Sequence, residues 1–187
     1  MSITSAKTGA TGISLALENN FMEPIASTLV GAGGVNRITF SDIPQGYKHL
    51  QIRGIMRCSV ASDNIVMRFN GDSGANYTWH VLRGSGSAAS GANTVSTTGA
   101  ELGWTTYSGQ TASAFAGIIV DVVDYANTNK NTTLRSFSGG DINASGGYIT
   151  FSSAFWNNRD AVNTIDIIMG SGNFDQYSRL SLYGFKG

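Results

Sequence analysis

The sequence is short of charged side chains. They make up 13% of the 187 residues, and the formal net charge is zero, about half the charged share of an average globular domain. Nucleic-acid binding needs a basic patch, so the scattered lysines and arginines argue against nucleic acid as a partner. With so little charge, copies of the chain hardly repel one another. This favours a protein that works inside an assembly, the alternative being a β-protein with a hydroxyl-rich surface.

Cysteine and long apolar runs are also scarce. The one cysteine, Cys58, excludes an internal disulfide and suits folding in a reducing cytoplasm. We expect it to be a small buried residue and not a nucleophile. The apolar stretch Ile13–Leu17 is too short for a signal peptide, and no run approaches the ~20 apolar residues of a membrane helix. We therefore expect synthesis in the cytoplasm, without export by the common route, and no membrane span.

Motifs for catalysis or metal binding are missing as well. A Ser–His–Asp site would have to assemble in space around His49 or His80, the two histidines of the chain. One cysteine and two distant histidines cannot make a structural zinc site. The Asn-Gly-Asp run at 70–72 is only a fragment of a calcium loop, which leaves calcium open. Odd spacing sends Asp121 and Asp124 to opposite faces of a strand, which argues against a glycosidase pair. We predict no enzyme, with no catalytic, cofactor-binding or metal-binding residues and no cofactor.

What the sequence does contain is alternation of apolar and polar side chains, punctuated by turns. In Asn64–Phe69, for example, Ile65, Met67 and Phe69 are predicted to point inward. Runs of this kind recur at turn spacings of about 8–14 residues, and no stretch forms a convincing amphipathic helix. The predicted strands are Val35–Phe40, Tyr47–Arg57, Asn64–Phe69, Tyr77–Arg83, Gly103–Tyr107, Ser113–Val123, Thr132–Phe137, Tyr148–Trp156, Asn163–Met169 and Arg179–Phe185.

These strands predict an all-β fold, an antiparallel β-sandwich of about ten strands. Each strand has one apolar face, and two packed sheets bury such faces between them. In Tyr148–Trp156, Ile149 and Phe151 alternate with the hydroxyls of Thr150 and Ser152. We expect the apolar side of this strand to face the interior.

Two segments stand apart from the strands. Residues 1–20 are small and polar apart from Ile13–Leu17, and they predict an extended N-terminal arm or anchor, the alternative being a frayed terminus. The sandwich domain is then 21–187. Gly84–Thr98 consists mostly of glycine, serine, alanine, threonine and asparagine, and it predicts a long mobile loop. Loops of that length are often functional.

Aromatic side chains suggest a second kind of function. Flat rings match the apolar faces of sugars, although aromatic residues in strands more often belong to the core. The candidates for sugar stacking are Tyr77, Trp79, Trp104, Tyr107 and Trp156.

Three stretches together carry a resemblance to a known group of proteins. They are ITFSDIPQGYKHLQIRG at 38–54, DVVDYANTNK at 121–130 and LSLYGFKG at 180–187. They resemble small virion structural proteins of tailed bacteriophages, over residues 22–187. The resemblance implies a jelly-roll-like β-sandwich on the particle surface and brings no catalytic residues. By analogy it also implies a homotrimer.

The expected function is accordingly that of a virion structural protein made in the host cytoplasm. The first hypothesis is a capsid decoration (cement) or head-fibre protein, anchored by its N-terminal arm to other virion proteins such as the major capsid protein. The alternative is a tail-fibre or receptor-binding module that recognises host surface glycans. A glycan depolymerase is the third hypothesis, for which no acidic pair is visible in the sequence.

Overall fold

The computed structural model describes residues 21–61, 64–142 and 146–187. Over these residues the chain has no helix, and therefore none long and apolar enough to cross a membrane. The strands are β1 (Met22–Leu29), β2 (Arg37–Phe40), β3 (His49–Cys58), β4 (Asn64–Phe69), β5 (Tyr77–Gly84), β6 (Ala89–Thr97), β7 (Ala100–Trp104), β8 (Thr106–Tyr107), β9 (Ala116–Val123), β10 (Thr132–Asp141), β11 (Gly147–Trp156), β12 (Ile165–Met169) and β13 (Arg179–Phe185).

Eight of these strands pair like one long hairpin that has been rolled up. Strand β1 pairs with β13, β2 with β12, β3 with β9 and β4 with β7, all antiparallel. Rolling the hairpin adds the β13–β3 and β12–β4 pairs. The resulting sheets, β1-β13-β3-β9 and β2-β12-β4-β7, have jelly-roll topology. The predicted antiparallel β-sandwich and its jelly-roll character are confirmed. The only parallel pair among the described strands joins β3 to the short β8.

Four further strands, here called the added strands, extend the first sheet on one side. They are β5 and β6, inserted between β4 and β7, and β10 and β11, inserted between β9 and β12. The sheet continues past β9 in the order β10-β11-β5-β6. The second sheet has no matching extension: β7 packs across β10, β11 and β5, and Phe69 of β4 reaches the Tyr77 end of β5 and the Trp156 end of β11. The first sheet therefore has two regions, the jelly-roll strands and the added strands, and different parts of the second sheet pack against each.

The interior between the jelly-roll sheets is mainly apolar, and it continues beneath the Tyr77 end of β5 and the Trp156 end of β11. Ile65, Met67 and Phe69 of β4 are fully buried, as predicted. The Phe69 ring lies 5.6 Å from that of Trp156, which stacks on Tyr77 at 6.4 Å and 17°. Both polar tips have partners: Tyr77 Oη accepts a hydrogen bond from Phe69 N, and Trp156 Nε1 donates one to an Asp72 carboxylate oxygen. Partners of this kind remove the penalty for burying polar atoms.

The strand prediction has two errors and one omission. The predicted strand Gly103–Tyr107 is not one strand, because it joins the end of β7 to β8 across Thr105. The bounds of β4 and β13 are as predicted, but Gly84–Thr98 is not a loop, because most of it forms β6 at the edge of the sheet, paired with β5. Almost all side chains of β6 are exposed, so neither face imposes the alternation that reveals a strand. Strand β1 was also missed, since Pro24 and a bulge interrupt it. The predicted arm, residues 1–20, lies outside the described residues.

Candidate interaction surface

Where β7 covers them, β10 and β11 place hydroxyl groups inside and large apolar side chains outside. Ser136 of β10 and Ser152 of β11 face the interior and are each 5% exposed, whereas Phe137 and Phe151 face outward and are 42% and 50% exposed. The expectation that the apolar side of Tyr148–Trp156 faces the interior is therefore wrong. An antiparallel sheet with one covered face normally shows the opposite pattern.

The backbone of β7 explains why hydroxyls are favoured inside. Ser136 Oγ donates a hydrogen bond to the carbonyl oxygen of Leu102, and Ser152 Oγ donates one to the carbonyl oxygen of Glu101. The covering layer thus presents main-chain acceptors, and small donors opposite them satisfy those acceptors.

The close approach of β7 depends on a glycine. Gly103 has a φ of +124°, a backbone conformation that residues other than glycine rarely adopt. A Cβ at this position would overlap Ser138 Oγ and lie 3.0 Å from Thr150 Cβ. Strand β7 can therefore lie against β10 and β11 only because residue 103 has no side chain.

A buried ion pair lies in the same layer. Arg83 of β5 and Glu101 of β7 pair between the sheets, with side chains 15% and 5% exposed. The Arg83 guanidinium also lies 4.7 Å from the centroid of the Trp104 ring, within the range of a cation–π contact. The interior of the added strands is thus held partly by polar contacts.

The outer side of the same strands and their neighbours carries a continuous apolar surface, here called the outer apolar face. Its large side chains come from adjacent strands of one sheet, and each is more than a third exposed. They are Ile55 (40%), Leu82 (55%), Ile119 (39%), Phe137 (42%), Ile149 (47%) and Phe151 (50%). The rings of Phe137 and Phe151 stack at a centroid distance of 4.8 Å.

Strand register divides the outer apolar face into two parallel rows. The first row, called the ridge, is bulky and consists of Ile119, Phe137, Phe151 and Leu82 on β9, β10, β11 and β5. The second row, called the groove, lies two residues along the same strands and consists of Gly117, Gly139, Ile149 and Gly84. Three glycines in four positions leave an open depression of about 850 Å³.

Polar groups border the ridge on its other side. Asp121 accepts hydrogen bonds from Gln51 Nε2 at 2.6 Å and from Arg135 Nε at 2.9 Å. Ser153 and His80 continue this row across β11 and β5. Toward β1 the face also becomes polar, since Ser27 and Ser181 share a hydrogen bond. An apolar centre with a polar rim is typical of a protein interface.

The two histidines are not brought together into a site. His49 Nδ1 accepts a hydrogen bond from the Asp124 backbone N–H at 3.0 Å, while His80 is exposed on β5 opposite Ser153. The structure also separates Asp121, on the outer face of β9, from Asp124 in the turn that follows. Asp121 bonds to Gln51 and Arg135, whereas Asp124 contacts Lys130, Lys48 and His49.

Asp124 is instead the centre of a surface charge cluster. The hydrogen bond from Lys130 lowers the pKa of the Asp124 carboxyl, burial opposes this, and the charges of Lys130, Lys48 and His49 lower it further. The net effect keeps Asp124 ionised. These contacts fix the turn after β9 and account for the carboxylate without a catalytic role.

Two of the five aromatic candidates for sugar stacking are unsuited. Tyr77 and Trp156 are buried in the core, so their assignment as stacking platforms is wrong. Trp79, Trp104 and Tyr107 are half-buried. The exposed rings of the sheet are Phe137 and Phe151, which sequence reasoning missed. The sequence does show phenylalanine alternating with serine in β10 and β11. This alternation indicates that the two residue types lie on opposite faces, but not which face is buried.

The remaining sequence candidates have structural partners. Cys58 is buried, as expected, with Sγ 3.4 Å from the Ser171 carbonyl oxygen. The carboxylate of Asp72 accepts hydrogen bonds from Trp156 Nε1, Asn76 Nδ2 and Gly74 N. Within the described part of the chain, no group of three or more His, Cys, Asp or Glu side chains is placed to hold a metal ion.

Comparisons with protein-family models, with curated proteins and with solved structures gave no match to this chain. The class of protein is therefore defined by the fold and the surface alone. It is a jelly-roll β-sandwich, extended on one side, with an exposed apolar sheet face.

Proposed function

We propose that the chain is a structural component of a bacteriophage particle, displayed on its surface as a capsid decoration or head-fibre protein. The observation that carries this proposal is the outer apolar face. Leaving large apolar side chains in water forgoes about 25 cal/mol for each Å² that burial would remove from solvent. Large exposed apolar patches with polar rims mark interaction sites. A protein that works within an assembly has this face covered.

Three further features support an assembling part. The chain carries zero net charge, so copies and neighbours approach without long-range repulsion. The three sequence stretches quoted above resemble virion structural proteins, and a jelly roll is a common capsid architecture. Inside the sandwich, polar groups such as Arg83, Glu101 and Asp72 make structural bonds, which favours a role without catalysis.

The proposed partners are copies of the chain and other virion proteins, the major capsid protein among them. Residues 1–20 are the proposed anchor to the particle. Phe21, the first described residue, packs edge-on against Phe185 at 5.3 Å, which ties the start of the sandwich to its last strand. The anchor would therefore leave the domain from a fixed point.

The alternative proposal is a tail-fibre module that recognises host surface glycans. The observation that favours it is the groove of about 850 Å³ beside the exposed Phe137–Phe151 pair. Aromatic faces stack on apolar sugar faces, and Arg53 and Asp141, which also line the groove, supply polar contacts. A glycan array with the isolated protein tests this. Binding that is lost in Phe151→Ala supports it, and silence across host polysaccharides contradicts it.

Immunogold labelling of intact particles with an antibody against this chain tests the main proposal. Label spread over the heads is the expected result. Label confined to the tail tip would favour the glycan-binding alternative, and particles without label would contradict both. Deleting residues 2–20 then tests the anchor, because the shortened chain is expected to fold and to lose its place on the particle.

A further inference from the structure

We infer that the outer apolar face binds the same face of a second copy of this chain, around a two-fold axis that places the ridge of each copy in the groove of the other. This inference deepens the proposed function by naming the partner. It rests on that proposal only for the premise that the face is covered in the working protein.

Alternation of large and small residues is the first argument. Along β9, β10 and β5, the ridge positions are Ile119, Phe137 and Leu82, and the groove positions two residues away are the glycines of the same strands. Facing layers interdigitate when large residues on one side meet small ones on the other. Each of these three strands carries both a large ridge residue and the glycine that can accept the ridge residue of a second copy.

A two-fold axis converts this alternation into a self-complementary interface. An axis that lies in the interface, runs across the strands and passes between the two rows maps every ridge position onto the groove position of its own strand. Phe137 then meets Gly139 of the second copy, Ile119 meets Gly117 and Leu82 meets Gly84, and each contact occurs twice. On β11 the same axis brings Phe151 against Ile149, so this strand contributes a contact between two large apolar side chains. In a two-fold interface residue i touches residue j of the second copy, and j touches i of the second copy. A single chain can therefore carry both of the complementary surfaces that the interface needs.

The backbone around the groove accepts such an approach. A Cβ built at Gly117 meets nothing within 4 Å, whereas one at Gly139 would lie 3.0 Å from the Tyr148 carbonyl oxygen. The groove is thus open above Gly117, and its glycines leave the main chain accessible from outside. This is the kind of site where another side chain packs closely.

The area is of the size that a stable dimer needs. Five strands from β3 to β5 span about 24 Å, and the ridge and groove together with the polar row on each side of them take about eight residues along the strands, or about 26 Å. The flat footprint is therefore about 600 Å², and the corrugated accessible surface is larger. A standard interface buries about 800 Å² on each partner. The charges also fit, because Asp121, Arg135, Arg53 and Asp141 sit around the rim, away from Phe137 and Gly139 at the centre.

Sedimentation equilibrium on the full chain, across a range of protein concentrations, tests the inference. The expected species is a dimer of twice the 19.7 kDa chain mass that dissociates on dilution. Phe137→Ser removes the centre of the ridge and is expected to weaken the dimer at least tenfold. Val35→Ser is the matched control, because Val35 is also 42% exposed but lies outside the face, and it is expected to leave the dimer unchanged.

Gly117→Leu separates a fitted interface from general stickiness. The monomer has room for the new side chain, but the leucine fills the groove that the ridge of the second copy enters. A ridge-in-groove dimer is expected to weaken at least tenfold. A merely adhesive apolar patch would associate more strongly with an added leucine, and that result would overturn the inference. Phe151→Ser, expected to weaken the dimer like Phe137→Ser, replaces any variant whose circular dichroism shows loss of the fold.

The other outcomes are equally decisive. A wild-type chain that stays monomeric at all concentrations, or that forms a trimer, overturns the two-fold arrangement, as does a dimer that none of the face variants weakens. The proposed function fails separately. A dimer on a chain that is absent from particles keeps the inference and removes the function, whereas a monomer found on particles does the reverse.

Discussion

The jelly-roll strands and the added strands share one continuous sheet, yet where β7 covers β10 and β11 the interior holds hydroxyl groups, whereas the interior of the jelly-roll strands holds apolar side chains. In β3 and β4, Ile52, Ile65 and Met67 are buried between two layers of side chains. In β10 and β11, serines are buried while Phe137 and Phe151 are exposed. The layer opposite decides the difference. The jelly-roll strands face apolar side chains of the second sheet, and Ser136 and Ser152 of the added strands face the main chain of β7.

The polarity of the side chains on each face of the sheet matches the layer that packs against that face. A face opposite main-chain carbonyls needs donors, and a face that is apolar needs a partner. On this account the inner face of the added strands is satisfied within the chain and the outer face is satisfied by another molecule. Variants on the inner face and variants on the outer face should therefore differ in their effect on the stability of the monomer.

The largest expected effect separates buried from exposed phenylalanine. Phe69→Ala removes a fully buried ring and is expected to cost about 3–5 kcal/mol of unfolding free energy. Phe151→Ala removes a ring that is half exposed, and we expect less than about 1 kcal/mol at concentrations where the chain is monomeric. Urea unfolding measures both. Equal losses would contradict the claim that the outer apolar face lies outside the monomer's core.

The next effect concerns the close approach of β7. Gly103→Ala places a Cβ against Ser138 at a φ of +124° and is expected to cost about 2–3 kcal/mol through strain and overpacking. The control is Gly117→Ala, whose Cβ meets no atom within 4 Å. Thermal unfolding should show a lower midpoint for the first variant only. A tolerated Gly103→Ala would mean that β7 does not pack tightly on the added strands.

A smaller effect distinguishes two adjacent serines. Ser152→Ala removes the hydrogen bond to the Glu101 carbonyl and is expected to cost about 1 kcal/mol. Ser153 points to the outer side of the same strand and is exposed, so Ser153→Ala should change stability by less than about 0.5 kcal/mol. The reverse order in chemical denaturation would show that β11 is turned the other way.

The smallest effect is a pH dependence at the junction of the two regions. Burial raises the pKa of Asp72, but hydrogen bonds from Trp156, Asn76 and Gly74 outweigh it, so the pKa of this carboxyl in the folded chain lies below its ordinary 3.8. The ionised form therefore stabilises the fold above the unfolded-state pKa, and this contribution is lost as pH falls through the folded-state pKa. Stability measured from pH 7 downward should decline less steeply in Asp72→Asn than in wild type. Identical slopes would count against the Asp72 contacts.

Much of the fold follows from the sequence because periodicity reports which residues share a face. Asn64–Phe69 alternates with apolar residues at every second position, and its bounds and buried side are as predicted. The alternation of Tyr148–Trp156 was also correct, but its direction was not. Periodicity cannot tell which face turns inward, because that depends on β7, a strand distant in sequence. Strand β6 was missed because small polar residues exposed on both faces leave no pattern.

The candidate surface could not be predicted for the same reason. Phe137 and Phe151 look like core residues in the sequence, and Tyr77 and Trp156 look no different from them. Only the fold shows that the first two are exposed and the last two are buried. The glycines at 84, 117 and 139 likewise acquire meaning only when strand register aligns them beside the ridge.

Carbene footprinting of the wild-type chain, at high concentration and after dilution, tests the central claim most directly. We predict that Phe137, Phe151 and Leu82 are protected from labelling at high concentration and become labelled on dilution, while Tyr177, which is 62% exposed and outside the face, is labelled equally in both. Equal and heavy labelling of the ridge at both concentrations would contradict the claim that a second copy covers this face.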